Sequence, residues 1–162
     1  MADTAGTRQR LSKDQVMALV DEHFPQVHEG NGRVSLEFLA PMTARVRMAH
    51  DPRAIRPGGT ISGPAMFKLA DFSVYAIILG ELGASALQAV TTNMTMNFLT
   101  RPQPGDMIAH ARLIKLGKRL AVAEVELYSD GRPDMVAHST ATYALPPVKS
   151  ESGEEVVKLL KS

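Results

Sequence analysis

The sequence contains no cysteine, which excludes a disulfide framework, a zinc ribbon, a thiol nucleophile and a CxxC redox pair. Neither sign of charge is in excess: 18 Lys and Arg stand against 17 Asp and Glu, for a formal net charge of +1. A chain so balanced has little with which to neutralise a phosphate backbone or an anionic bilayer, so nucleic acid is not an expected partner. No run of eighteen apolar residues occurs, and the opening MADTAGTRQRL lacks the apolar stretch of a secretory signal. A cytoplasmic location without a membrane partner is the expectation. What is present is the composition of a globular protein, with 162 residues, 44% hydrophobic and 22% charged. That length suits one domain with a sizeable core.

Residues 1–10 read as a disordered polar tail, and 148–162 as a polar tail with a weak amphipathic helix over Val156, Val157, Leu159 and Leu160. A single domain over 11–147 lies between them. It opens with a capping box, Ser12 and Gln15, followed by Val16, Leu19, Val20 and Phe24 at helical spacing, and Pro25 ends that helix. Two strands follow, one alternating through Val34, Leu36 and Phe38, the other through Ala44, Val46 and Met48. Residues 51–63 are a loop rich in Pro, Gly and Asp. Pro64 suits the start of a second helix, with Gly80 and Gly83 as stop signals; between them only Lys68, Asp71 and Ser73 are clearly polar. This helix is expected to be buried nearly all round. The rest reads as strands over 88–99, 107–116, 120–128 and 135–145, the last three forming a meander. In the first of these, Val90, Thr92, Met94, Met96 and Phe98 alternate with Thr91, Asn93, Thr95 and Asn97. Strands on both sides of one apolar helix predict an α+β layer arrangement, an antiparallel sheet wrapped round that helix. A helix so uniformly apolar implies that a second subunit covers part of it, most simply in a dimer.

Several motifs fail on inspection. Gly58 and Gly63 have the spacing of a phosphate-binding loop, but Pro64-Ala65 stand where Lys and Ser/Thr are required. Ser62 is no nucleophile elbow, because GxSxG is absent. The histidines, His23, His28, His50, His110 and His138, show no metal-ligand spacing. Asp71 is the informative residue: two turns inside an apolar helix, it can neither cap the N-terminus nor gain much from the dipole. Either it pairs with Lys68, its i−3 neighbour, or it hydrogen-bonds to a neighbouring strand, or it is a general base or nucleophile in an apolar pocket.

The stretch Ser62-Gly63-Pro64-Ala65-Met66-Phe67-Lys68-Leu69-Ala70-Asp71 resembles the His-Gly-Gly-x5-x-Asp segment of the hotdog-fold acyl-CoA thioesterases of the phenylacetate-degradation type, within the 4-hydroxybenzoyl-CoA thioesterase superfamily. The strand from Ala89 to Thr100 with its Arg101-Pro102 exit is similar to that family's third strand, and the likeness runs over roughly residues 30–145. The resemblance implies a hotdog fold with an extra N-terminal helix, and hydrolysis of an acyl-CoA or aryl-CoA thioester. Asp71 falls on the catalytic carboxylate, Gly63 on the glycine whose N–H polarises the thioester carbonyl, and Thr91 where a Ser or Thr assists. Two positions depart from the pattern: Ser62 replaces the family's His, and Arg56 its Asn or His; Ser62, at that place in the motif, is expected to contact the substrate. Arg56 is either a ligand for an anionic group on the substrate or a solvated loop arginine. The turn Gly117-Lys118-Arg119 either holds coenzyme A phosphates or is a plain hairpin tip. Met66, Phe67, Leu69 and Met94 either line an acyl pocket or fill the core. No cofactor is implied beyond coenzyme A as part of the substrate, and no metal.

Helix geometry adds a constraint of its own. Gly63 and Asp71 are eight residues apart, roughly 12 Å along one helix axis. A reacting carbonyl must sit about 3 Å from its oxyanion donors and close to its nucleophile. The two groups must therefore come from different subunits of a homodimer; pairing of dimers into a homotetramer is left open. Two other readings compete with the thioesterase. A hotdog acyl-CoA-binding or regulatory module without catalysis fits the departures at Ser62 and Arg56. A dehydratase or hydratase would need a catalytic histidine, and none lies between His50 and His110.

Overall fold

A computed structural model describes residues 11–30 and 32–147. Both tails, including the C-terminal helix expected over Val156 to Leu160, lie outside the described residues. In chain order the elements are α1 (Lys13–His23), β1 (Val34–Ala40), β2 (Thr43–Met48), a short ribbon of β3 (Ile55–Arg56) and β4 (Thr60–Ile61), α2 (Gly63–Leu82), β5 (Val90–Phe98), β6 (Met107–Leu116), β7 (Leu120–Ser129) and β8 (Met135–Ala144). Six strands form one antiparallel sheet in the order β1-β2-β6-β7-β8-β5, wrapped round α2. This is the α+β hotdog arrangement with an additional N-terminal helix. Among the described residues no helix is long and apolar enough to cross a membrane.

Local chemistry accounts for the elements. The capping box forms: Ser12 Oγ accepts the Gln15 N–H at 3.2 Å, and Gln15 Oε1 accepts the Ser12 N–H at 2.9 Å. The inner face of the sheet beneath α2 is built from small residues, with Ala109 and Ala111 on β6, Ala121 and Ala123 on β7, and Ala137 and Ala141 on β8, all buried. Short side chains there let a helix carrying Leu69, Ile77 and Leu79 pack close to the strands. Every residue of α2 from Phe72 to Glu81 is buried. The first half differs: Gly63, Pro64, Phe67, Lys68 and Asp71 form a part-exposed stripe at helical spacing, so burial all round holds only for the second half.

The sequence-level expectations need three adjustments. First, α2 does not stop at Gly80. An added Cβ there would meet Leu39 Cδ2 at 2.9 Å, so this glycine permits close approach of β1 while the helix runs on to a C-cap at Gly83. Second, the 51–63 loop contains the β3–β4 ribbon. Third, the segment RPQPGD, which reads as a turn into the next strand, is a crossover, and β5 does not adjoin β6. Residues 99–106 carry the chain across the ends of β8 and β7, held by Leu99 N–H to Val136 O at 2.8 Å and Gln103 N–H to Ser129 Oγ at 3.0 Å. This leaves β5 at the sheet edge, next to β8 alone.

Gly32 is the position least tolerant of a side chain. Its φ is +109°, and an added Cβ would lie 2.4 Å from the Ala49 carbonyl oxygen, a backbone atom that cannot swing aside. Gly32→Ala is expected to destabilise the protein by at least about 2 kcal/mol and to lower its thermal midpoint by roughly 5 °C, read by scanning calorimetry. A midpoint equal to that of the wild type would contradict the packing described at this turn.

Candidate active site

Ser62 adopts an extended backbone (φ −68°, ψ 149°), and its Oγ accepts the Ala65 N–H at 3.3 Å, which makes it the N-cap of α2. Gly63 and Pro64 follow in the first turn, where proline's missing N–H is no loss. No acceptor among the described residues takes the Gly63 N–H. It is one of the unpaired donors that every helix start carries, at the positive end of the dipole.

Two turns on, Asp71 is part-exposed. Its Oδ1 accepts a hydrogen bond from Thr91 Oγ1 at 2.5 Å and another from the Tyr143 hydroxyl. The same hydroxyl lies 2.8 Å from the Asp71 main-chain oxygen, while Oδ2 has no hydrogen-bond donor among the described residues. Strand register brings the two hydroxyls together, since Thr91 and Tyr143 are direct cross-strand partners on β5 and β8. A β-bulge between Thr91 and Asn93 interrupts the alternation of β5. Thr91 thereby joins Met94 and Met96 on the face toward α2, whereas uninterrupted alternation would put it on the opposite face.

Tyr143 is almost fully buried. That burial, reinforced by the adjacent Asp71 carboxylate, pushes its hydroxyl far above the ordinary tyrosine range. Tyr75, one turn along α2, donates to Leu87 O at 2.7 Å, and burial raises its hydroxyl to about 12. Both phenols ionise more easily in the unfolded chain, near 10. The stability they contribute is therefore complete below pH 10 and is lost as pH climbs from there through the folded-state values. The thermal midpoint is expected to be level between about pH 7 and 9 and to fall from about pH 10 upward, less steeply in Tyr75→Phe. Calorimetry across that range checks it.

Lys68 does not pair with Asp71. Its Nζ donates to Gly32 O at 2.9 Å and Glu29 O at 3.2 Å, fastening the segment after α1 to α2, and partial burial lowers its pKa. The fastened segment forms one wall of a cleft of ≈780 Å³. Asp71, Thr91 and Tyr143 lie along the cleft, and Phe24, Phe72 and Tyr75 give it an aromatic side. Phe24 meets Tyr75 edge-on with ring centroids 6.2 Å apart.

The other residues singled out in the sequence are scattered. Gly63 sits beside Phe98, whose Cζ would be 3.5 Å from an added Cβ, and Phe67 lies near the same ring at 6.3 Å. Phe98 ends β5 and Thr91 lies near its start, so within one chain Gly63 and Asp71 mark opposite ends of that strand. Met66 and Leu69 are buried in the core, and Met94 is partly buried against it. Arg56 is exposed on β3, and neither it nor Ser62 lines the cleft. Lys118 and Arg119 are exposed at the β6–β7 hairpin. Leu145 N–H bonds to Arg119 O at 2.7 Å, which places this hairpin at the same end of the sheet as Tyr143. Among the described residues no group of three or more His, Asp or Glu is placed to hold a metal ion. Tyr143 escaped sequence reasoning. The signal available was a tyrosine on the inward phase of a strand, whose hydroxyl had to find a partner once buried.

Comparison with known proteins agrees with the fold. The family model described as the thioesterase superfamily matches residues 58–136. A crystal structure of a candidate thioesterase from Silicibacter sp. TM1040 is 44% identical, with 88% of this chain and 97% of that chain covered and a TM-score of 0.78. A substituted form of the phenylacetic acid degradation protein PaaI from Thermus thermophilus is 25% identical, covering 74% of this chain and 97% of that one, at a TM-score of 0.62. A candidate esterase of Saccharolobus solfataricus is 23% identical over 146 residues, which are 90% of this chain and 87% of the relative. With the Silicibacter protein 44% identical over 97% of its length, and with the helix-wrapping sheet in place, the chain belongs to the thioesterase superfamily of hotdog-fold proteins.

Proposed function

We propose that the protein hydrolyses an acyl-CoA or aryl-CoA thioester to the free acid and coenzyme A, as a homodimer with two equivalent sites. One observation carries the reading: a carboxylate with one oxygen held by two hydroxyls and the other bare, on the wall of a cleft beside an unpaired sheet edge. Asp71 either attacks the thioester carbonyl or takes a proton from a water that does. A thiolate is a good leaving group, so the reaction needs little general-acid help. Ser62 stands where the related enzymes carry histidine, and its hydroxyl is engaged in capping α2.

The oxyanion donor is the N–H of Gly63 in the partner subunit. The edge strand β5, VTTNMTMNF, has neither charge nor proline to deter pairing, and Val90 and Phe98 on it are 57% and 52% exposed. If two β5 strands pair antiparallel about a two-fold axis near Met94, residue 91 of one chain faces residue 97 of the other. The Gly63 and Phe98 end of each protomer then arrives at the Asp71 and Thr91 end of its neighbour. The same pairing covers the part-exposed stripe of α2. Lys118 and Arg119, at the sheet end that carries Tyr143, supply two cations for the phosphates of coenzyme A. Phe67 and Met94 lie toward the same subunit interface and suit an acyl or aryl group.

Thiol release from a panel of acyl- and aryl-CoAs, by the wild type and by Asp71→Ala, tests the proposal. Turnover abolished by the substitution supports it. Tight binding of an acyl-CoA without turnover by the wild type would favour a non-catalytic acyl-CoA-binding module, and water addition to an enoyl-CoA a hydratase.

A further inference from the structure

Asp71 has two chemically equivalent oxygens, and the fold treats them differently. Thr91 Oγ1 and the Tyr143 hydroxyl both converge on Oδ1, whereas Oδ2 has no donor among the described residues and Asp71 itself borders the cleft. The Tyr143 contact reaches further than the side chain, because its oxygen also lies 2.8 Å from the Asp71 main-chain oxygen. A single hydroxyl lodged between the backbone and the carboxylate of one residue fixes the torsions that join them. We propose that Tyr143 is a positioning residue for the hydrolysis: with Thr91 it clamps Oδ1, and so reserves Oδ2 as the oxygen that attacks the carbonyl or takes the proton from water.

This rests on the proposed thioesterase reading and adds a residue to it. Tyr143 touches Asp71 and has no part in the bond changes. Its proton stays on its own oxygen throughout, because burial and the neighbouring carboxylate disfavour the tyrosinate, so it acts as a donor and not as a relay. The position of the clamp follows from the sheet. Tyr143 pairs with Ala121 on one side and Thr91 on the other, and the β5 bulge sets Thr91 on the face where both hydroxyls meet. Misplacing a reacting oxygen by an ångström costs about 10²-fold in rate without weakening substrate binding to match.

The test is kinetic and uses the full chain with a CoA thioester that the wild type turns over. Tyr143→Phe is expected to lower kcat about 10- to 100-fold with KM within about 2-fold, and Thr91→Val to lower kcat less. In the double variant the loss should exceed the product of the single losses, because either hydroxyl alone still restrains Oδ1. A second measurement covers the case in which Tyr143→Phe folds poorly. A tetrafluorinated tyrosine at position 143 keeps the ring and the hydroxyl but is acidic enough to offset the upward push of burial and Asp71, and its kcat should decline toward alkaline pH where the wild type is level. Full kcat in Tyr143→Phe, strictly multiplicative losses, or a fluorinated protein with the wild-type pH profile would each overturn the clamp, although Asp71→Ala were inactive. If the wild type released no thiol from any CoA thioester, the failure would belong to the thioesterase reading instead.

Discussion

Asp71→Ala is expected to lower kcat for thioester hydrolysis by at least about 10³-fold, which places the protein at or near the uncatalysed background. The size of the loss follows from the lack of a substitute at the same place: His23 also borders the cleft, but from the end of α1, where its Nε2 lies 3.7 Å from Glu22 and it makes no contact with Asp71 or the two hydroxyls. Among the side chains along the cleft, Glu29 is the other carboxylate, and it lies on the segment fastened by Lys68, outside the pair of hydroxyls that orient Asp71. Thr91 and Tyr143 act as donors to Asp71, and Tyr143 cannot ionise at working pH to serve as a base. The isosteric Asp71→Asn variant separates chemistry from architecture. Its amide oxygen can still accept from both hydroxyls at Oδ1, so stability should stay within about 1 kcal/mol of the wild type. The amide nitrogen at the Oδ2 position is neither nucleophile nor base at neutral pH, and activity should fall as far as in the alanine variant. Thiol release followed by a colorimetric thiol reagent, together with a thermal melt, decides both points. An asparagine variant within about threefold of wild-type kcat would remove Asp71 from the chemistry.

The sequence displays the parts of this architecture whose causes are local. Ser12 and Gln15 form a capping box because both partners lie within one turn, and Val34 to Met48 reads as two strands because alternation is local as well. Asp71 stood out because an ionisable group in an apolar helix needs compensation wherever the chain places it. What supplies that compensation depends on contacts distant in sequence. Tyr143 lies 72 residues from Asp71, and the alternative partner Lys68, three residues away, turns instead to two backbone carbonyls across the cleft. Thr91 was in view through resemblance alone. The alternation of residues 88–99 sets it opposite Met94, and the bulge that reverses this parity has no short-range signature in TTN. The stop at Gly80 failed for a related reason. A glycine inside a helix reads as a break until the packing of Leu39 against it is known.

Gly63→Pro is expected to lower kcat about 10²- to 10³-fold, with substrate binding largely retained, because the substitution removes a single backbone donor aimed at the developing oxyanion. The site suits this experiment. Proline is favoured in the first turn of a helix, and it demands an extended conformation of the residue before it, which Ser62 already has at ψ 149°. An added Cβ at Gly63 meets Phe98 Cζ at 3.5 Å, an ordinary van der Waals contact. Residue 63 itself precedes Pro64, and a Cβ there adds crowding that glycine avoids, so a thermal melt and the dimer mass of the variant accompany the kinetics. Mixed with Asp71→Ala, Gly63→Pro tests the two-chain architecture directly. Each parent homodimer lacks one essential group at both of its sites. In a heterodimer, one site combines Asp71 from the first chain with the Gly63 N–H of the second, and the other site lacks both. Random reassortment makes about half of the dimers mixed, each with one intact site, so activity should recover to about a quarter of the wild-type value from parents that are nearly inactive. If one chain supplied both groups, mixing would restore nothing, since every protomer would still carry a defect of its own. Recovery after reassortment would thus assign the carboxylate and the amide to different protomers, an arrangement required by the distance between them along a single helix.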